Sequence, residues 1–83
     1  MTTPAQRALA RAAHEMLVGR TIVRVGYMPA SEAAEVGWPD RPAVLQLDDG
    51  TVIYATCDEE GNGAGVLMAE GKRREVCLGR LPL

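Results

Sequence analysis

The sequence predicts an α+β domain in which an N-terminal helix packs on a five-stranded, antiparallel, partly open barrel. A capped amphipathic segment opens the chain, and short apolar, β-branched runs separated by glycine, proline and acidic turns fill the rest. Asp49-Gly50 between two such runs marks a hairpin. A chain of 83 residues holds one domain. We therefore predict one domain, residues 1–83, with a helix at 3–18 and a β-rich body at 20–83.

The helix is predicted from both of its ends and from one face. Thr3 is a good N-cap, Pro4 suits the first helical position, and Gln6 completes a capping box with Thr3. Gly19 is a natural stop. His14 falls on the polar face, and the apolar residues recurring at helical spacing are Leu9, Ala13, Met16 and Leu17.

Five strands are expected in the body, with tight turns between most of them. Asp49-Gly50 predicts a type I′ turn, with positive φ at both central residues. Residues 31–37 predict a short helix with Ser31 as N-cap, and 38–42 should be irregular because two prolines lie there. The tail, residues 79–83, is apolar enough to dock as an extended end. The predicted strands are 21–28, 43–48, 51–57, 66–69 and 74–78.

The net charge of −2 hides a strong asymmetry along the chain. Residues 1–31 carry a charge of +3, residues 32–60 a charge of −7, and residues 61–83 a charge of +2. The acidic middle third repels phosphate and disfavours nucleic acid as a partner. The basic cluster Lys72-Arg73-Arg74 lacks interleaved aromatics and is interpreted as a solvated turn.

The two cysteines and the apolar runs help to predict the cellular compartment of the protein. Cys57 and Cys77 lie in apolar runs without metal-ligand spacing, and we expect buried thiols in preference to a disulfide. No apolar run approaches the roughly 20 residues that a membrane span requires. With no secretory signal recognised, the expected location is cytoplasmic, without a membrane partner.

The core should be lean, which points to self-association. The chain has no Phe, and its aromatic residues are Trp38, Tyr27 and Tyr54. Small domains with poor cores usually need a staple, a metal or a partner subunit. We therefore expect a homo-oligomer.

The inventory of side chains does not favour catalysis. The one histidine, His14, lies on a helix face, and the one lysine, Lys72, lies in a turn, so a nucleophile–base pair is not indicated. Asp58 beside Cys57 brings a negative charge, whereas an activated thiolate needs a positive neighbour. The chain is predicted to be no enzyme, with no catalytic residues and no cofactor.

The acidic, glycine-rich loop 58–65 supports an alternative function. Asp58, Glu60, Asn62 and Gly63 match the first half of a calcium loop, although position 12 is Ala69 where a bidentate Glu is needed. A small-molecule or divalent-cation site using Asp58, Glu60 and Asn62 is therefore the alternative to a solvated connection.

The leading prediction is a non-enzymatic binding or interaction module that binds protein. Trp38 either plugs one end of the sheet or serves as a contact anchor beside Arg41, since Trp and Arg concentrate binding energy. If the Trp38–Arg41 segment and the acidic loop 58–62 lie near each other at one end of the sheet, they form a polar-rimmed pocket. The predicted binding residues are Trp38, Arg41, Asp58, Glu59, Glu60 and Asn62.

Two resemblances accompany these predictions. Gly37-Trp38, Arg41-Pro42, Leu47-Asp48-Asp49-Gly50 and Asp58-Glu59-Glu60-Gly61-Asn62 resemble a G-W…R-P…L-D-D-G…D-E-E-G-N pattern in a family of short, uncharacterised bacterial proteins. That resemblance covers residues 17–68 and implies no activity. Residues 17–25, after a helix, are similar to the opening of Sm-like proteins, which are helix-plus-five-strand barrels that form rings and bind RNA. The resemblance to Sm-like proteins implies an SH3/Sm-like barrel and, as a second alternative function, RNA binding. Residues 29–42 are an insertion relative to that family, and the family's second RNA-binding motif is missing from this chain.

Overall fold

The chain combines two helices with seven short strands in a computed structural model that describes residues 2–83. An N-terminal helix followed by antiparallel strands confirms the predicted α+β class. The elements are α1 (Pro4–Leu17), β1 (Ile22–Tyr27), α2 (Ala30–Glu35), β2 (Asp40–Arg41), β3 (Ala43–Leu47), β4 (Val52–Tyr54), β5 (Leu67–Glu70), β6 (Glu75–Leu78) and β7 (Leu81–Pro82).

The strands of residues 2–83 form three small antiparallel sheets, with orders β1-β3-β4, β2-β7 and β5-β6. They do not join into the single five-stranded barrel predicted from the sequence. The strand predicted at 51–57 stops at Tyr54, and an isolated bridge between Thr56 and Ala64 follows it. β5 therefore pairs forward with β6, and the ladder of the first sheet ends at β4.

Both ends of α1 follow the predicted signals. The Thr3 hydroxyl accepts from the Gln6 backbone N–H at 3.1 Å, and the Gln6 side-chain carbonyl accepts from the Thr3 N–H at 2.9 Å. The helix ends at Leu17, and Gly19 has φ +82°, which only glycine adopts readily. The capping box and the glycine stop are confirmed.

The predicted packing of α1 on the sheet is wrong for the single chain. Every residue from Pro4 to Leu17 is exposed, including the whole apolar face. The radius of gyration is 14.5 Å, whereas a compact domain of this length has about 12 Å. The helix therefore extends from the body of the molecule.

The hairpin between β3 and β4 lies where Asp49-Gly50 predicts it, but the turn type differs. The Gly50 N–H donates to the Leu47 carbonyl at 3.0 Å, and the Leu47 N–H donates to the Thr51 carbonyl at 2.8 Å. Within residues 2–83, positive φ angles belong only to glycines, here Gly50 at +90°. Asp49 thus keeps a negative φ, and a type I turn followed by a glycine bulge replaces the predicted type I′ turn.

The segment 30–42 is more regular than expected. α2 is capped by the backbone of Pro29, and Ser31 lies inside the helix, so Ser31 is not the N-cap. Gly37 ends the turn with φ +76°. In the stretch predicted to be irregular, Asp40–Arg41 pairs with Leu81–Pro82, which a two-residue strand between prolines still permits. The tail docks as an extended end, as predicted.

The interior is small. Cys57 and Cys77, within the described chain, are free and exposed, so the prediction of buried thiols is wrong. β4 ends before Cys57, and Cys77 lies in a sheet of only two strands. Across residues 2–83, every helix is too short or too polar to cross a membrane. The buried residues are Ala33, Trp38, Pro42, Ala43, Leu47, Gly63 and Ala64.

Candidate functional site

Trp38 connects α2 to the acidic loop. Its backbone N–H donates to the Ala33 carbonyl at 2.9 Å, which closes the end of α2. Its ring packs with Ala33, Ala64 and Met28 and is only 6 % exposed. The indole N–H donates to the Gly61 carbonyl at 2.8 Å. Trp38 is therefore buried against α2 and hydrogen-bonded to the acidic loop, while neither that loop nor Arg41 is among the residues that line the pocket beside Trp38.

The acidic loop is organised around the carboxylate of Asp58. One carboxylate oxygen accepts from the backbone N–H groups of Glu60 and Asn62, at 3.0 and 3.1 Å. The other accepts from the Asn62 side-chain amide at 2.9 Å. These bonds, first of all that from the Asn62 backbone, hold the pKa of Asp58 below its ordinary value of 3.8. Both oxygens of the Asp58 carboxylate therefore accept hydrogen bonds from within the loop itself.

This geometry does not form a ligand set for a cation. The Asn62 amide nitrogen points at Asp58 and also donates to the Glu60 carboxylate at 3.3 Å. A cation needs the amide oxygen in that position, together with free carboxylate lone pairs. Residues 2–83 contain no group of three or more His, Cys, Asp and Glu side chains able to hold a metal. Glu59 lies exposed at the loop tip.

Arg41 is directed towards the C-terminal tail. It lies in β2, and its Nε donates to the Pro82 carbonyl at 3.3 Å. The Arg41 side chain thus bonds to β7, the strand that pairs with β2, whereas Trp38 contacts the loop. The six predicted binding residues are therefore divided between a Trp38–loop cluster and the β2–β7 ladder.

A groove that the sequence did not indicate lies on one face of the first sheet. Its volume is about 430 Å³, within the roughly 300–1,000 Å³ of ligand pockets. Paired residues across three strands form its floor in two rows, Gly26–Val44–Tyr54 and Arg24–Gln46–Val52. We call this surface the aromatic groove, because Tyr54 lies beside the Trp38 ring at a centroid distance of 6.2 Å.

Two charged side chains of opposite sign line the aromatic groove. Glu32 comes from α2, and Met28, Val36 and Trp38 line the groove with it. Arg24, paired with Gln46, belongs to one row of the floor. The alternation of residues 43–47 would have allowed us to predict that Val44 and Gln46 share one face of the sheet. The position of α2 beside that face was not predictable, because it depends on contacts distant in sequence.

Apolar side chains outside the groove are also open to water. The α1 apolar stripe, which we define as Leu9, Ala13, Met16 and Leu17, contains side chains exposed by up to 73 %. β1 is an edge strand of the first sheet, and its Val23 and Val25 are more than half exposed. Edges and apolar faces of this kind are sites of association.

Comparisons with known proteins do not assign this site. Scans of the chain against family models, against curated proteins and against solved structures gave no significant match.

Proposed function

We propose that this protein is a non-enzymatic interaction module that associates with a second copy of itself. The observation that carries the proposal is the accessible surface area of 6412 Å² for a chain of 8.9 kDa. A compact monomer of that mass exposes about 4,800 Å². The excess of about 1,600 Å² is twice the roughly 800 Å² that each partner buries in a standard interface.

The location of the exposed apolar side chains supports the same function. Leu9 and Met16 on α1, Val25 on β1 and Val52 in the aromatic groove are each at least half exposed. A helix of fourteen residues is marginal in water when it packs on nothing, since most helical stability comes from a buried face. Association with a second copy supplies that burial.

The predicted recognition residues take a different part in this proposal. Trp38 forms the wall of the aromatic groove, and the loop of Asp58, Glu59, Glu60 and Asn62 buttresses that wall through Gly61. Arg41 holds the tail. The binding surface we propose is therefore the α1 apolar stripe with the aromatic groove.

Sedimentation equilibrium of the full chain over a range of concentrations tests the proposal. We expect a mass twice the 8.9 kDa of the chain at high concentration, falling on dilution. Leu9→Gln removes one apolar contact that is worth about 1.5–3 kcal/mol when buried, so the dimer dissociation constant should rise about tenfold or more. His14→Gln, on the opposite face of α1, is the matched control. A single-chain mass at every concentration would overturn the proposal.

A further inference from the structure

We propose that the dimer forms by reciprocal exchange, with α1 of each copy lying in the aromatic groove of the other. The residues that enter the groove are those of the α1 apolar stripe. The inference rests on the self-association proposed above and names the surfaces that meet. Such an arrangement is isologous and closes as a two-fold dimer. The helix-on-sheet packing predicted from the sequence then forms between copies.

The connection between α1 and β1 is attached to the β3–β4 turn. The Arg20 guanidinium pairs with the Asp49 carboxylate at 3.3 Å, and the Asp48 N–H donates to the Thr21 carbonyl at 2.9 Å. Both contacts tie residues 20–21 to the β3–β4 turn. Beyond that connection the helix is exposed along its length, and no residue of α1 lines the groove.

The chemistry of the two surfaces matches a helix-in-groove contact. Recognition of this kind uses apolar anchors at i, i+4 and i+7 on one helix face. Leu9, Ala13 and Met16 have that spacing, and Leu17 extends the face. The groove offers Tyr54 and Val52, which are 46 % and 51 % exposed, and a helix of α1's length spans about 21 Å.

The helix dipole favours one direction of the helix in the groove. Arg7, Arg11 and Glu15 lie on the polar face of α1 and remain in water when the apolar stripe is buried. Glu32 of α2 lines the groove. With its N-terminal end towards Glu32, the helix places the positive end of its dipole near that carboxylate.

The exposed area favours reciprocal exchange over the other ways in which two copies could meet. Exchange removes two surfaces from water on each chain, the stripe and the groove. The excess of about 1,600 Å² per chain corresponds to about 3,200 Å² in total, within the roughly 2,000–5,000 Å² of obligate homodimers. A contact between two α1 helices would leave the groove open. Pairing of two β1 edges would leave both surfaces open.

Complementation between two defective chains tests the exchange. The helix variant is Leu9→Gln/Met16→Gln, and the groove variant is Val36→Gln/Val52→Gln; all four side chains are more than half exposed, so each fold should persist. All four substitutions introduce uncharged glutamine side chains, so they create no new electrostatic attraction between the two variants. Sedimentation of each variant and of their equimolar mixture is the measurement, with circular dichroism to check folding. Lys72→Gln, in the exposed turn between β5 and β6 and outside the groove, is the control.

We expect a dimeric wild type, two monomeric variants and a mixture that again contains dimer, because one intact helix meets one intact groove. The dissociation constants of the separate variants should exceed that of the wild type at least a hundredfold, and that of the mixture should lie between them. A wild-type dimer with no complementation overturns the exchange and leaves self-association standing. Dimers that persist in both variants indicate β1 edge pairing and overturn it too. A monomeric wild type, with the groove open to a small molecule or another protein, overturns both proposals.

Discussion

The indole N–H of Trp38 donates to the backbone carbonyl of Gly61 across 2.8 Å, joining residues 23 positions apart. This bond couples the end of α2 to the acidic loop, so that two segments without regular strands support each other. Because Trp38 also lines the aromatic groove, the loop supports one of the side chains that line it.

Trp38→Phe should destabilise the fold by about 1–3 kcal/mol, because a half-buried carbonyl loses its donor and a smaller ring leaves space. Urea unfolding at a fixed protein concentration measures the change. Tyr54→Phe, an exposed neighbour in the same aromatic pair, should change stability far less. Equal stability of Trp38→Phe and the wild type would show that the bond to Gly61 contributes nothing.

Asp58 should make the stability depend on pH on the acid side. Its pKa is lowered in the fold from 3.8 by the Asn62 backbone and side chain, so its stabilisation is present above that ordinary value and is lost as pH falls through the folded pKa. The stability difference between wild type and Asp58→Asn should therefore shrink on acidification. Unfolding midpoints across a pH series measure it, and Glu59→Gln is the control. A difference that stays constant with pH would contradict this role.

Gly65→Ala should destabilise the protein by about 1–3 kcal/mol through overpacking. A Cβ at Gly65 would lie 2.6 Å from the Thr56 carbonyl oxygen, which is backbone and cannot rotate away. Gly79→Ala meets nothing within 4 Å and should cost about 0.5 kcal/mol or less. Thermal melts of the two variants make the comparison, and indistinguishable midpoints would refute the close approach.

Gly50→Ala should weaken the β3–β4 hairpin by about 1–2 kcal/mol, because Gly50 has φ +90° and an L side chain is strained there. Gly50→Asn should lose less, since Asn tolerates left-handed backbone better than Ala does. Denaturant unfolding of both variants measures the order. If Ala proved as stable as Gly, the turn would have to adopt another conformation.

Features encoded within a few residues were predictable. Thr3 and Gln6 are three positions apart and form their capping box whatever the rest of the chain does. Asp49-Gly50 located the chain reversal for the same reason. The turn type escaped prediction because Asp49 could avoid positive φ once Gly50 alone adopted it.

Features set by distant contacts were not predictable. Arg41 pairs with Leu81, forty positions away, in a ladder too short to show a sequence pattern. The aromatic groove needs α2 to bring Glu32 beside residues of β1 and β3, and no local signal determines where a six-residue helix packs. The α1 apolar stripe indicated that this face needs a partner, but periodicity does not say whether the partner belongs to the same chain.

The proposed dimer requires that a second copy stabilises α1, and helicity on dilution tests this directly. α1 supplies fourteen of the twenty helical residues in the described part of the chain. Far-ultraviolet circular dichroism of the full chain should lose most of its helical signal as the dimer dissociates, because an unpacked helix of this length is marginal in water. A helical signal that stays constant while the mass falls to that of one chain would contradict the account.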